Sequence, residues 1–161
     1  MFKFSEEGKK VIQKELARYE SRRSAILPCL YVAQKENGGF INVEVVRELS
    51  HLMELPEVQI NEVLHFYTMY NKKPVGKYHV QVCCNISCAM NGSRELYSHL
   101  LKEFRAEDDK ITPDGNFTFS RVECLGSCGT APMMQVNEDY HEKLTPEQAV
   151  RVLKNMAKGS N

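Results

Sequence analysis

The chain carries no surplus of charge: Lys and Arg number 21, and so do Asp and Glu. A balanced total gives no electrostatic footprint for a nucleic-acid backbone or an anionic lipid surface, so no nucleic-acid partner is expected. Long apolar runs are missing too. No stretch approaches the roughly 18 residues that a spanning helix requires, so no direct membrane insertion is expected. The opening residues, MFKFSEEGKK, have neither the apolar centre of a secretory signal nor the Arg-rich, acid-poor make-up of a transit peptide. Together these absences lead to the expectation of a cytoplasmic protein. No G-x-G-x-x-G follows a strand pattern, which removes the usual dinucleotide signature. No C-x-x-C occurs, which removes the usual dithiol-enzyme signature. The five histidines (His51, His65, His79, His99 and His141) show no paired ligand spacing and read as structural or surface residues.

What is present suits a globular chain. At 161 residues and 42% hydrophobic content it can bury one or two small cores. The first seventy residues read as helix. Ser5 is a candidate N-cap, with Glu6 and Glu7 in the first turn where the helix dipole favours acids. Val11, Ile12, Leu16 and Tyr19 follow at near-helical spacing. Residues 25–36 form a second apolar-striped segment that stops at Asn37-Gly38-Gly39. Asn42 opens a third, with Val45, Val46, Leu49, Leu52 and Met53 on one broad face. Pro56 suits the first turn of a fourth, which runs to about Met69. Four short helices make a small bundle.

The Pro- and Gly-containing stretch Asn71-Lys72-Lys73-Pro74-Val75-Gly76 reads as a boundary, giving domains 1–72 and 73–161. Beyond it the hydrophobic period changes. Residues 77–83 alternate and predict a strand. Residues 93–104 return to a helical stripe, and Thr112-Pro113-Asp114-Gly115-Asn116 is a turn. Residues 117–124, 132–137 and 140–144 predict three more strands, the last two as a hairpin. Thr145-Pro146-Glu147-Gln148 has the form of a capping box opening a final helix. A helix between the first two strands implies a parallel pair with a right-handed crossover. The fold class expected is therefore an α+β two-part chain, a small N-terminal helical bundle followed by a thioredoxin-like α/β domain with a four-stranded mixed sheet. The acidic run Glu107-Asp108-Asp109 reads as a solvated loop, and Met133-Met134 as strand core.

The distinctive feature is cysteine. VCCNISC spans residues 82–88 and ECLGSCG spans residues 123–129. Each group falls where a predicted strand ends: Cys83 closes the first strand and Cys88 lies in the loop after it, while Cys124 closes the second and Cys128 lies in the loop after that. Neighbouring parallel strands send both loops out at one end of the sheet, the usual place for sites in open sheets. Gly126 and Gly129, with Asn85, Ser87 and Ser127, leave backbone N–H groups able to face sulfur. Four thiolates complete the two tetrahedra of a 2Fe-2S cluster, with Cys83 and Cys88 on one iron and Cys124 and Cys128 on the other. The spacing alone leaves structural zinc and inert or redox-active thiols open as well. Cys84, on the opposite side of the strand end from Cys83, is the expected non-ligand. Cys29 reads as core.

Several motifs point further: FYTMY at 66–70, KPVGKYH at 73–79, CCNISC at 83–88 and, above all, ECLGSCGTAPMMQVN at 123–137. With these the chain resembles a family, the thioredoxin-like 2Fe-2S subunits (E subunits) of bacterial NADH-quinone oxidoreductase, respiratory complex I. The resemblance implies that the outer cysteines of each group are the ligands, Cys83, Cys88, Cys124 and Cys128. Where the family has C-T-x-x-x-C, this chain has Cys84 in place of Thr. It also implies one 2Fe-2S cluster here, with FMN and NADH on a partner flavoprotein, the F subunit, and further subunits of a respiratory complex around them. The activity implied is one-electron exchange within an NADH dehydrogenase whose peripheral arm lies on the cytoplasmic side, with no independent catalytic site on this chain. The alternatives are a free-standing thioredoxin-like ferredoxin, the equivalent subunit of an NAD-linked hydrogenase or formate dehydrogenase, and a zinc-stabilised interaction module. Phe66, Tyr67 and Tyr70 are candidates for packing on a partner, with internal core the stronger expectation.

Overall fold

The computed structural model describes residues 2–159. The chain divides after Pro74 into two compact units. The first is helical: α1 (Glu6–Arg18), a 3-10 turn (Arg22–Ala25), α2 (Ile26–Glu36), α3 (Val43–Met53) and α4 (Glu57–Phe66). Polar side chains fix where the helices begin. Ser5 Oγ accepts the Gly8 N–H at 2.9 Å, and Asn42 Oδ1 accepts the Val45 N–H at 3.1 Å. Glu36, at the end of α2, accepts the Ser5 N–H at 2.9 Å and so ties the two helix ends together. The apolar stripes meet in one core, with Ile12, Ile26, Cys29, Leu30, Leu49, Met53 and Ile60 fully buried. Burial pushes the Cys29 thiol up to about 12, as a packing residue rather than a nucleophile requires.

Two sequence expectations change here. The fourth helix ends at Phe66 rather than near Met69. The three aromatics also divide. Tyr70 is core and its hydroxyl donates to the Leu27 carbonyl at 2.8 Å, but Phe66 is 77% exposed and Tyr67 is partly so. A helix that stops at Phe66 releases that ring from the bundle face its spacing suggested.

The second unit holds β1 (Tyr78–Cys83), α5 (Ile86–Met90), α6 (Ser93–Glu103), β2 (Phe117–Val122), a 3-10 turn (Cys128–Thr130), β3 (Met134–Val136), β4 (Asp139–His141) and α7 (Pro146–Lys158). The strands form one sheet in the order β2-β1-β3-β4. β1 and β2 are parallel, in register from Tyr78 opposite Phe117 to Cys83 opposite Val122, and the other two pairs are antiparallel. This is the expected mixed sheet. The strands are shorter than the hydrophobic pattern suggests, because a run of apolar residues also covers the packed segments that flank a strand. Leu96 and Leu100 of α6, Leu153 of α7, and Val80, Val82, Phe117, Phe119 and Met134 of the sheet build the core. The capping box is present, with Thr145 accepting from the Gln148 N–H and Gln148 from the Thr145 N–H. The Ala131–Pro132 bond is cis.

The acidic run is not a free loop. Asp108 takes the Tyr97 hydroxyl and, at 2.9 Å, the Arg121 guanidinium, and the Asp109 N–H donates to the Phe119 carbonyl at 2.9 Å. Asp109 also accepts the Ser120 hydroxyl at 2.5 Å. With its one proton committed there, Ser120 accepts from His79 Nε2–H at 2.9 Å, which fixes that tautomer.

Two tests follow from this unit. A Cβ on Gly76 stands 2.6 Å from the Phe117 carbonyl carbon, while the Gly76 N–H donates to Thr118 Oγ1 at 2.8 Å. Gly76→Ala therefore forces β1 from β2 and costs about 1–3 kcal/mol, read as a lower denaturant midpoint at constant slope. Burial also lowers the His79 value below the ordinary 6.5. The unfolded chain then takes the proton first, so stability falls as pH drops through about 6.5 and holds above it. In His79→Gln that part of the acid-side slope disappears from the stability–pH profile.

Candidate metal centre

The parallel pairing decides where the thiols go. Cys83 is the last residue of β1, and Cys124 follows β2 by two residues. Both chains leave the sheet at the same end. Cys88 is not in a loop, as the sequence suggested, but inside the one-turn helix α5, whose start is set by Asn85 Oδ1 accepting the Ile86 N–H at 2.7 Å. Two apolar residues and three small ones gave no helical period over so short a stretch. Cys128 opens a 3-10 turn.

The two returning segments are bonded to each other. Ser87 Oγ donates to the Cys128 carbonyl at 2.8 Å, and Asn85 Nδ2 donates to Glu123 Oε2 at 2.5 Å. Within them the sulfurs stand as two pairs. Cys124 and Cys128 Sγ are 3.6 Å apart, and Cys83 and Cys88 pack together with Met133. A metal–sulfur bond of about 2.3 Å puts neighbouring sulfurs of a tetrahedron about 3.8 Å apart, so the outer pair already has the spacing of one tetrahedral edge. Each pair lies within electrostatic reach of the other, since Cys128 acts on the Cys88 thiol and Cys83 on the Cys128 thiol. Among the described residues no three His, Cys, Asp or Glu side chains are gathered closely enough to hold a metal ion as they stand.

The pairs differ in setting. Cys83 and Cys88 are 3% and 2% exposed and pack against Met133, with Leu125 and Ala131 around them. Cys124 and Cys128 are exposed. Burial, and then the neighbouring Cys83 thiol, pushes the Cys88 thiol up to about 11. The Cys128 thiol is raised chiefly by its hydrogen bond with Cys124. On the outer side Gly126, at φ +82, turns its N–H to Cys124 Sγ at 3.4 Å, a donor suited to an anionic centre.

Cys84 faces elsewhere. It packs against the main core of this unit and borders a polar cavity of about 670 Å³ with Arg94, Tyr97, Asp108 and Arg121. Burial raises its thiol. Cys29 belongs to the helical unit. Met133 escaped the sequence reading as part of the site, because a methionine beside a strand reads first as core. Its place directly after Ala131-Pro132 in the ECLGSCGTAPMM run was the available signal.

Residues 12–157 match the family model described as thioredoxin-like [2Fe-2S] ferredoxin. Among curated proteins, the E subunit of NADH-quinone oxidoreductase from Rickettsia bellii (strain RML369-C) is 38% identical over 154 residues, covering 94% of this chain and 92% of that one. The E subunit numbered 2 of the same enzyme from Rhizobium meliloti (strain 1021) is 44% identical over 133 residues, covering 83% and 79%. Among solved structures, an NAD+-reducing [NiFe]-hydrogenase in the air-oxidised state superposes at TM-score 0.71 with 19% identity, over 84% of this chain and 23% of its own. That likeness concerns the fold. With the family match running nearly end to end and relatives of this identity along the same length, the chain belongs to the thioredoxin-like [2Fe-2S] ferredoxin family, beside relatives named as E subunits of NADH-quinone oxidoreductase.

Proposed function

We propose that this chain is the electron-transfer subunit that carries one 2Fe-2S cluster in the NADH-oxidising module of an NADH-quinone oxidoreductase. The observation that carries the reading is the meeting of two cysteine pairs at one end of the sheet, the outer pair at 3.6 Å. The naming of relatives at 38% and 44% identity supports the assignment to that enzyme. In this reading Cys83 and Cys88 hold one iron, and Cys124 and Cys128 hold the other. FMN and NADH belong to a partner flavoprotein, the F subunit. The reading puts the chain in a peripheral arm on the cytoplasmic side; the described residues contain no helix long and apolar enough to cross a membrane.

When bound, the cluster supplies one-electron chemistry. The chain's own residues do the rest. β1 and α5 bury the inner sulfurs among Met133, Leu125 and Ala131, which keeps water from that side. Gly126 offers a backbone donor toward the Cys124 sulfur, and such donors favour the more negative state. The exposed outer sulfurs form the edge at which an electron enters or leaves.

Anaerobically prepared protein is expected to bind about two irons and two sulfides per chain, with visible absorbance that bleaches on reduction and a rhombic EPR signal. Serine at Cys83, Cys88, Cys124 or Cys128 removes or alters that signal, whereas Cys84→Ala and Cys29→Ala retain it. Colourless, zinc-loaded wild-type protein defeats the reading. Co-expression with the candidate flavoprotein separates the two electron-carrier readings: a stable complex supports the subunit, and a chain that stays alone with its cluster intact supports the diffusing ferredoxin.

A further inference from the structure

β4 and the segment after it are bound to the outer cysteine loop at more points than a connection requires. The Tyr140 hydroxyl donates to the Leu125 carbonyl at 2.6 Å. The Lys143 N–H donates to the Thr130 carbonyl at 2.8 Å, and the Leu144 N–H to the Pro132 carbonyl at 3.1 Å. Between these contacts stands Glu142. Its Oε1 accepts the Thr130 hydroxyl at 2.5 Å and also the Ser127 hydroxyl. The two hydroxyl oxygens also lie 2.5 Å from each other, and the Thr130 hydroxyl reaches the Ser127 carbonyl at 3.1 Å, so the three side chains form one hydrogen-bonded cluster in which the ionised carboxylate only accepts. The bonds from the two hydroxyls, Ser127 first, hold the Glu142 carboxyl below the usual range.

Ser127 and Thr130 flank Cys128 at either end of its turn. The inner sulfurs are fixed by packing, but Cys124 and Cys128 are exposed and have no apolar wall to hold them. Their geometry must come from hydrogen bonds. Ser87 holds the Cys128 carbonyl, Gly126 faces Cys124, and Glu142 holds the turn from outside. Glu142 alone of the three adds a charge.

We propose that Glu142 is the positioning residue of the outer half of the centre: it clamps the turn over residues 127–130 and so fixes one negative charge against the turn that carries Cys128. The inference rests on the reading of those cysteines as iron ligands. A fixed negative charge opposes the arrival of an electron, so its removal favours the reduced state.

The test uses the full chain with its cluster, titrated potentiometrically and followed by EPR, together with amide hydrogen exchange on the metal-free chain. Glu142→Gln keeps a carbonyl acceptor and loses the charge. At a fixed poise its reduced-to-oxidised ratio rises about threefold, or about 28 mV at 59 mV per tenfold for one electron, with g values unchanged. Glu142→Ala shows a shift of the same sign, a broader EPR line, and severalfold faster exchange at residues 127–130; Glu142→Gln exchanges as wild type does. Glu138→Gln, an exposed charge in the β3–β4 turn, moves the ratio less. Should Glu142→Ala fail to fold, Ser127→Ala removes one clamp bond without touching the charge and must quicken exchange while leaving the ratio near wild type. Equal ratios in Glu142→Gln and wild type, or unchanged exchange in the clamp variants, overturn the proposal. Wild-type protein that takes no iron overturns the ligand reading and the charge half of this one, and the exchange comparison then decides the clamp.

Discussion

The parallel pairing of β1 with β2 is the constraint on which the site depends. Because the strands run the same way, Cys83 and the chain that leads to Cys124 emerge at the same end of the sheet. The register matters as much as the direction. A slip of one residue along β1 turns its whole hydrophobic set, and Cys83 with it, to the other face. That register is held by aromatic packing. Phe117 and Phe119 of β2 meet Phe104, and Tyr78 of β1 stacks on Phe117 at 5.5 Å. Gly76 supplies the close approach at the start of the pair, where any side chain collides with Phe117.

From that frame the two halves of the proposed centre are built by different means. The inner half is an apolar problem, solved by placing Cys83 and Cys88 against Met133. The outer half is a polar one, solved by a loop whose carbonyls and hydroxyls are held by neighbours from α5, β4 and the segment after it. The same sheet end thus carries a dry wall and a hydrogen-bonded rim. The electrostatic cost of an anionic cluster falls mainly on the rim, where solvent and N–H groups share it.

Much of this was legible in the sequence. The change of period after Gly76, the order of the elements and the capping box at Thr145 follow from residue types and spacing, because an amphipathic helix and an alternating strand each leave a long repeated signal. The short pieces left none. α5 is five residues of mixed character, and Cys88 sits on it only because Asn85 caps it. The Glu107-Asp108-Asp109 run looked solvated, since nothing local announces that Tyr97, Arg121 and Ser120 come from elsewhere to meet it. The side of the strand end that Cys84 occupies was readable from alternation, but the cavity it borders was not, because Arg94 and Arg121 belong to different elements. Phe66 shows the reverse failure, as its apolar character suggested burial that the end of α4 does not provide.

The unequal exposure of the two cysteine pairs gives this end of the sheet an open face and a closed one. Cys124 and Cys128 face water, whereas Cys83 and Cys88 lie behind Met133, so anything that approaches from solvent meets the outer sulfurs first.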